Sequence, residues 1–189
     1  MKMPDRPKVH ERAAIAVSGA TPDDAAAIVS IQAETWLATY PNEEHGITLE
    51  DVRAKKLDDP KRVDRWKKTI EEQGDEHRVL VAKEDNKVVG YCLSKRGEKE
   101  NYIEALYVSS TEQGRGIGQK LMTETLSWLG DVKPIGLGVA AYNTKAIGFY
   151  KKLGFEETDD AAEPVPPLPS GKILPIIKLL RPGKSKAQT

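Results

Sequence analysis

NYIEALYVSSTEQGRGIGQKLMTETLSWL, residues 101–129, passes without interruption from a strand pattern through a glycine loop into a helix pattern. Ile103, Ala105 and Tyr107 alternate with Glu104, Leu106 and Val108, and the enrichment in β-branched and aromatic types predicts a strand with those two sets on opposite faces. Gln113, Gly114, Arg115, Gly116, Ile117 and Gly118 follow. Beyond the last glycine, Leu121, Met122, Thr125, Leu126 and Leu129 recur at helical spacing, which puts the glycines at a helix N-terminus. Unpaired amides of a first helical turn point outward, the helix dipole adds partial positive charge, and glycine offers no Cβ to keep an anion away. A pyrophosphate suits such a place.

The surroundings of the loop narrow its meaning. Gln113-x-x-Gly116-x-Gly118, directly after a strand ending in Val108 and directly before an amphipathic helix, resembles the acetyl-CoA signature of the GNAT family of N-acetyltransferases. PIGLGVAAYNTKAIGFYKKLGF, residues 134–155, resembles that family's next strand and helix, ending in N-x-x-A-x-x-F-Y-x-x-x-G-F. The resemblance implies an α/β (α+β) fold: a mixed, mostly antiparallel sheet of six to seven strands, splayed between the fourth and fifth, with helices on both sides. It implies acetyl-CoA as cosubstrate and direct attack by a primary amine in a ternary complex.

Size and composition fit this picture. A chain of 189 residues suffices for one core of ordinary size. Residues 13–181 are expected to form a single domain, with 1–12 a flexible arm and 182–189 a flexible tail. Twenty-nine basic and 29 acidic residues cancel, so no net field draws in nucleic acid or an anionic membrane. The single cysteine, Cys92, excludes an intrachain disulfide, and the three histidines do not stand at metal-ligand spacing. No metal, no nucleic acid and no membrane partner are expected. The charged N-terminus lacks an apolar signal core, and a cytoplasmic location is expected; a homodimer is compatible with the sequence.

Other elements follow from pattern. Ala14–Ser18 reads as a first strand. Thr21-Pro22-Asp23-Asp24 reads as a capped helix start, with the helix running to about Thr39 before Pro41. Helices are expected from Thr48 to about Leu57 and from Pro60 to near Gly74, and a hairpin from Val79–Ala82 and Val88–Lys95. A helix runs from Asn143 to Leu153, and closing strands occupy Phe155–Thr158 and Ile173–Leu180. Pro175 marks the last strand as an edge or a bulge.

Roles follow from the resemblance. The amides of Gly114, Arg115, Gly116, Ile117, Gly118 and Gln119 should cradle the phosphates, with the Arg115 and Lys120 side chains as charge partners and Gln113 touching the cofactor. The main chain of Leu106, Tyr107 and Val108 should hold the pantetheine like an added strand, with the Leu106 amide as oxyanion donor and Asn143 bonding the pantetheine arm. Tyr150 stands where the family carries its general acid; a phenol with a pKa of about 10 is protonated at neutral pH. Glu104, a carboxylate in an apolar strand, calls for a polar cleft and resembles the proton relay of the spermidine and spermine acetyltransferases.

Gly138 occupies the position at which acetyltransferases of ribosomal-protein N-termini carry a glutamate. Trp36 and Tyr40 are expected to wall the acceptor pocket, and Glu34, Glu43, Glu44 and Glu50 to attract a cation. Together these favour a small amine or polyamine as acceptor. The alternatives are a protein lysine or N-terminus, and a non-catalytic acyl-CoA-binding module. Cys92 reads as a small buried hydrophobe.

Overall fold

The computed structural model describes residues 13–163 and 165–184, so the expected arm 1–12 and the end of the tail, 185–189, lie outside the described residues. Seven strands form one sheet: β1 (Ala16–Gly19), β2 (His77–Glu84), β3 (Lys87–Lys95), β4 (Asn101–Val108), β5 (Ile135–Ala140), β6 (Glu156–Thr158) and β7 (Ile176–Arg181). Their spatial order is β1-β2-β3-β4-β5-β7-β6, antiparallel throughout except for the parallel β4–β5 pair. The helices are α1 (Ala25–Thr39), α2 (Leu49–Arg53), α3 (Lys61–Glu71), α4 (Ile117–Leu129) and α5 (Thr144–Lys152).

α4 packs on β2, β3 and β4 from one face. Its Ile117, Leu121, Met122 and Leu129 are buried against Leu80, Cys92, Ile103 and Leu137, and Phe149 of α5 and Leu153 just beyond it flank the same cluster. Across the sheet, Ile28 and Ile31 of α1 and Ile70 of α3 cover Val79, Val81 and Tyr91. Each large aliphatic chain so buried contributes on the order of 1.5–3 kcal/mol. A third cluster of Trp36, Ile47, Val52, Leu57, Leu168 and Leu174 closes the end of the molecule where α2 and the 159–175 loop meet.

Helix starts follow the chemistry read from the sequence. Thr48 caps α2 by accepting from Asp51 N at 3.2 Å, while Asp51 accepts from Thr48 N at 2.7 Å, a reciprocal capping box. Ahead of α1, Asp24 accepts from Thr21 N at 2.9 Å and from the Thr21 hydroxyl at 3.1 Å, with Pro22 opening a single 3-10 turn. α2 and α3 end earlier than their periodicity suggests, at Arg53 and Glu71.

The structure corrects three sequence expectations. First, the alternation in residues 103–108 does not hold. Leu93 pairs with Ala105 and Ser94 with Ile103, so Glu104 is an unpaired bulge residue. An extra residue inverts the faces on either side of it. Ile103 therefore joins Leu106 and Val108 on the α4 side, while Ala105 and Tyr107 turn to the α1 side. Second, the last strand is internal, paired with β5 and β6 on its two sides; it begins only after Pro175, whose missing amide falls outside the ladder. Third, the expected tail is docked at its start: a Cβ on Gly183 would meet the Val132 carbonyl, and Lys184 N donates to the Asp131 carbonyl at 2.6 Å.

Candidate active site

The parallel pairing of β4 with β5 covers only Asn101↔Ile135, Tyr102↔Gly136 and Ile103↔Leu137. Beyond that the strands part, and residues 104–108 face no partner strand on that side. The bulge at Glu104 coincides with the point of parting, as expected where a strand bends and twists. A cleft of about 550 Å³ opens there. It is lined by Ile103–Val108, by Leu137, Gly138 and Val139 of β5, by Gln113, Gly114 and Gly116–Gln119, by Asn143, Lys145, Ala146, Phe149, Tyr150 and Lys152 of the α5 region, and by Thr35, Thr39 and Tyr40 of α1. The splay thus joins the α4 and α1 faces of the sheet in one cavity.

The loop before α4 has the conformation that its glycines permit. Gly114 and Gly116 have φ of 82° and 75°, and a Cβ on either would meet nothing within 4 Å, so backbone geometry and not crowding demands glycine. Gly116 is the N-cap of α4 and offers no side-chain acceptor to the first-turn amides. Those donors open onto the cleft. Gln113 is pinned between β4 and α5, its Nε2 donating to the Val108 carbonyl at 3.3 Å and its Oε1 accepting from Lys145 Nζ at 2.7 Å.

The cationic side chains at the cleft are not those expected. Arg115 turns away, held bidentately by Glu84 at 2.6 and 2.8 Å and also paired with Glu112; these carboxylates raise its pKa above its ordinary value. It is absent from the cleft lining. Lys120 donates to the Ile15 carbonyl at 3.2 Å. The lysines that line the cleft are Lys145 and Lys152. A run of KAIGFYKK at helical spacing, with its first and last lysines seven residues apart on one face, held this signal unread.

Asn143 caps α5, its Oδ1 accepting from Ala146 N at 3.1 Å; it lines the cleft, and among the described residues its amide NH2 has no hydrogen-bond partner. Tyr150, 8 % exposed, stacks edge-on between Phe149 and Phe155 with centroids 5.3 and 5.8 Å away. Among the described residues its hydroxyl has no hydrogen-bond partner. Burial, and then the nearby Cys92 and Tyr107, push its pKa well above that of a free phenol, so it stays protonated. Cys92 is fully buried and its thiol is pushed up to about 12 by burial.

Glu104 faces the cleft with its side chain 34 % exposed, but it is not alone: Lys95 Nζ lies 3.1 Å from its carboxylate and 3.1 Å from that of Glu163. Burial works against the Lys95 ammonium, yet the carboxylates of Glu163 and Glu104 outweigh it and hold the pKa of Lys95 above its ordinary value.

On the α1 side the expected pair separates. Trp36 is buried outside the cleft lining, its Nε1 donating to the Tyr107 hydroxyl at 2.9 Å, while Tyr40 lines the cleft with its hydroxyl 3.4 Å from that of Tyr107. The Tyr107 side chain was not foreseen as part of the site; only its main chain was. None of Glu34, Glu43, Glu44 and Glu50 lines the cleft. Glu34 accepts from Ser110 N at 2.9 Å, and Glu50 pairs with Arg53 at 2.7 Å.

Gly138 has no room for a side chain. A Cβ there would stand 2.9 Å from Ile176 Cγ2 and 3.3 Å from the Tyr102 hydroxyl.

The chain is similar to known proteins. The peptidyl-lysine N-acetyltransferase YjaB of Salmonella typhimurium is 35 % identical over 93 residues, 47 % of this chain and 59 % of that protein. YjaB of Escherichia coli is 30 % identical over 92 residues, 46 % of this chain and 58 % of its own. The chain therefore spans less than two thirds of the length of these curated relatives. Among solved structures, the PaiA N-acetyltransferase of Thermoplasma acidophilum, in complex with coenzyme A, superposes with a TM-score of 0.68 at 18 % identity, covering 89 % of this chain and 99 % of that one. The ribosomal-protein-S18-alanine N-acetyltransferase of Escherichia coli superposes with a TM-score of 0.61 at 17 % identity, covering 93 % and 99 %. The family profile described as Acetyltransferase (GNAT) family matches residues 30–155, and the chain belongs to that family.

Proposed function

We propose that the protein transfers an acetyl group from acetyl-CoA to the side-chain amine of a lysine in a peptide or protein. The observation that carries the catalytic part is the early end of the β4–β5 pairing. It leaves the main chain of 104–108 open between a glycine loop and a buried, protonated tyrosine. Acetyl-CoA supplies an acyl group already activated as a thioester.

The chain's residues do the rest. The amides of Gly114 and Gly116–Gln119 meet phosphate oxygens at the positive end of α4, with Lys145 and Lys152 adding charge. The unpaired β4 edge and the Asn143 NH2 align the pantetheine, and the Leu106 amide donates to the carbonyl oxygen as negative charge develops there. Tyr150 donates its hydroxyl hydrogen to the departing sulfur. Glu104 receives the proton of the attacking amine, through water, beside the Lys95 ammonium. With a fully buried Cys92, no activated nucleophile stands in the cleft among the described residues, which favours direct attack over an acyl-enzyme.

For the acceptor, the expectation of a small amine or polyamine gives way to its alternative. The acids expected to draw in a polycation lie outside the cleft and are partly engaged with Ser110 and Arg53. The curated relatives act, by their names, on peptidyl-lysine. The crowded Gly138 leaves no place for the glutamate of the N-terminal type, which speaks against a protein N-terminus. The test is a thiol-release screen at fixed acetyl-CoA. Blocked lysine peptides should turn over with a kcat/KM at least about tenfold above spermidine and above peptides with only a free N-terminus. Spermidine as the better acceptor would restore the polyamine reading, and no turnover with any amine would favour a binding module.

A further inference from the structure

Tyr40 and Tyr107 stand at the α1 side of the splay, where both line the cleft. Trp36 Nε1 has a hydrogen to give and no lone pair to offer, so its 2.9 Å contact makes the Tyr107 oxygen an acceptor. The two hydroxyls then share one further bond across 3.4 Å. Either oxygen serves as donor in it, and the sum is the same. Three hydrogens, one on Trp36 and one on each tyrosine, enter two bonds, so one hydroxyl hydrogen is left over at the cleft wall. Among the described residues no acceptor takes it.

We infer that the Tyr40–Tyr107 pair is a hydrogen-bond donor for the acceptor substrate, directed at a backbone carbonyl oxygen of the peptide that carries the lysine. This rests on the lysine reading above and adds the group by which the acceptor is held. The pair is braced from three sides: Trp36 holds Tyr107, the Trp36 and Tyr40 rings pack with centroids 4.3 Å apart, and the Tyr142 hydroxyl donates to the Tyr40 carbonyl at 2.8 Å. Burial raises the pKa of both phenols, so the spare hydrogen is present at every pH near neutral. A protonated alkylamine brings only donors and gives this group nothing to bind, whereas a peptide carbonyl satisfies it. The pair thereby discriminates a lysine within a chain from a free amine of the same length.

The experiment compares Nα-acetyl-lysine N-methylamide with pentylamine, which has the lysine reach without a carbonyl. Affinities are measured by calorimetry on protein saturated with CoA, alongside kcat/KM with acetyl-CoA. In Tyr40→Phe/Tyr107→Phe the preference for the lysine diamide should fall about three- to tenfold, the range for one neutral hydrogen bond, through Kd and KM more than kcat. Because that variant leaves Trp36 Nε1 without its acceptor, Tyr40→Phe is measured as well; it keeps the Trp36–Tyr107 bond and leaves the Tyr107 hydroxyl hydrogen unshared, so it should retain the preference within about twofold. An equal loss for both ligands or an unchanged preference in the folded double variant, or a loss in Tyr40→Phe as large as in the double variant, overturns the inference. If wild-type protein neither binds nor acetylates the lysine diamide but accepts another amine, the lysine reading itself falls.

Discussion

On the α4 and α5 side of the cleft the groups proposed to meet a ligand are largely main-chain amides, whereas on the α1 side they are side-chain hydroxyls brought together from segments 67 residues apart in sequence, Tyr40 and Tyr107. The first kind of surface depends on where the backbone goes, and side chains disturb it only by intruding, as at Gly114 and Gly116. The second exists only while particular side chains are present and braced. A cosubstrate common to many reactions suits the first, and an acceptor that differs from enzyme to enzyme suits the second.

Tyr150 lies between the two halves and should show the largest effect. Tyr150→Phe keeps the ring that packs on Phe149 and Phe155 and removes the hydroxyl alone. We expect kcat to fall by about a hundredfold, within the range for a positioned acid, with a melting temperature near that of wild type. Because burial raises its pKa, deprotonation of Tyr150 begins only above pH ~10, and the hydroxyl is retained as pH rises through the neutral range. A descending limb of kcat between pH 7 and about 9 that disappears in Tyr150→Phe would show the phenol titrating where its burial forbids it.

Gly116→Glu attacks the main-chain half. A non-glycine residue at φ 75° costs about 1–2 kcal/mol, and the carboxylate would stand where phosphate oxygens are proposed to bind. A negative charge at the start of α4 offsets part of that strain, and the melting temperature of the variant separates weakened binding from a loosened helix. CoA affinity by calorimetry should drop at least about thirtyfold. Unchanged affinity would break the contrast between the two halves, because the loop would then not be the phosphate site.

The same contrast explains what the sequence revealed. Strand, glycine loop and helix are consecutive, so the main-chain half was legible from 101–129: glycines at a helix start announce their conformation locally. The splay was expected only through family resemblance; the bulge that accompanies it was not, because an extra residue at Glu104 leaves the alternating pattern intact to the eye while inverting its faces. The direction of the Arg115 side chain is hidden from the sequence for a related reason. Its place in the loop is local, but its partners, Glu84 from the β2 end and Glu112, are a matter of packing. The hydroxyl pair of Tyr40 and Tyr107 depends on α1 crossing β4 and had no local signature at all.

Lys145→Ala tests the replacement of Arg115 as the charge at the main-chain half. Lys145 is exposed and reaches Gln113 at 2.7 Å, so its field at the loop is screened by solvent. A two- to fivefold loss of CoA affinity, on the order of an exposed ion pair, is expected at low salt, shrinking toward nothing at 1 M salt, where the Debye length is about 3 Å. Arg115→Gln should act differently. It frees Glu84 and Glu112 from their shared guanidinium and weakens binding through a loosened loop, with an effect that salt does not abolish. Equal salt dependence in both variants would return Arg115 to the phosphate site.

Cys92→Ala should change turnover least, and its value lies in that. The thiol sits beneath the sheet beside α4, at 0 % exposure, with its pKa pushed up to about 12, so at pH 7 only about one molecule in a hundred thousand would carry a thiolate. The sulfur fills core volume, and its loss should cost roughly 1 kcal/mol of stability, read as a lower melting temperature. Initial rates should match wild type within about twofold, since neither the cleft wall nor its donors include this side chain. The decisive measurement is the mass of wild-type protein after mixing with acetyl-CoA and no amine. An added acetyl group, absent from Cys92→Ala, would make the reaction a relay through the core. An unmodified mass with full activity in the variant leaves the amine to attack directly across the cleft, from the side-chain half to the main-chain half.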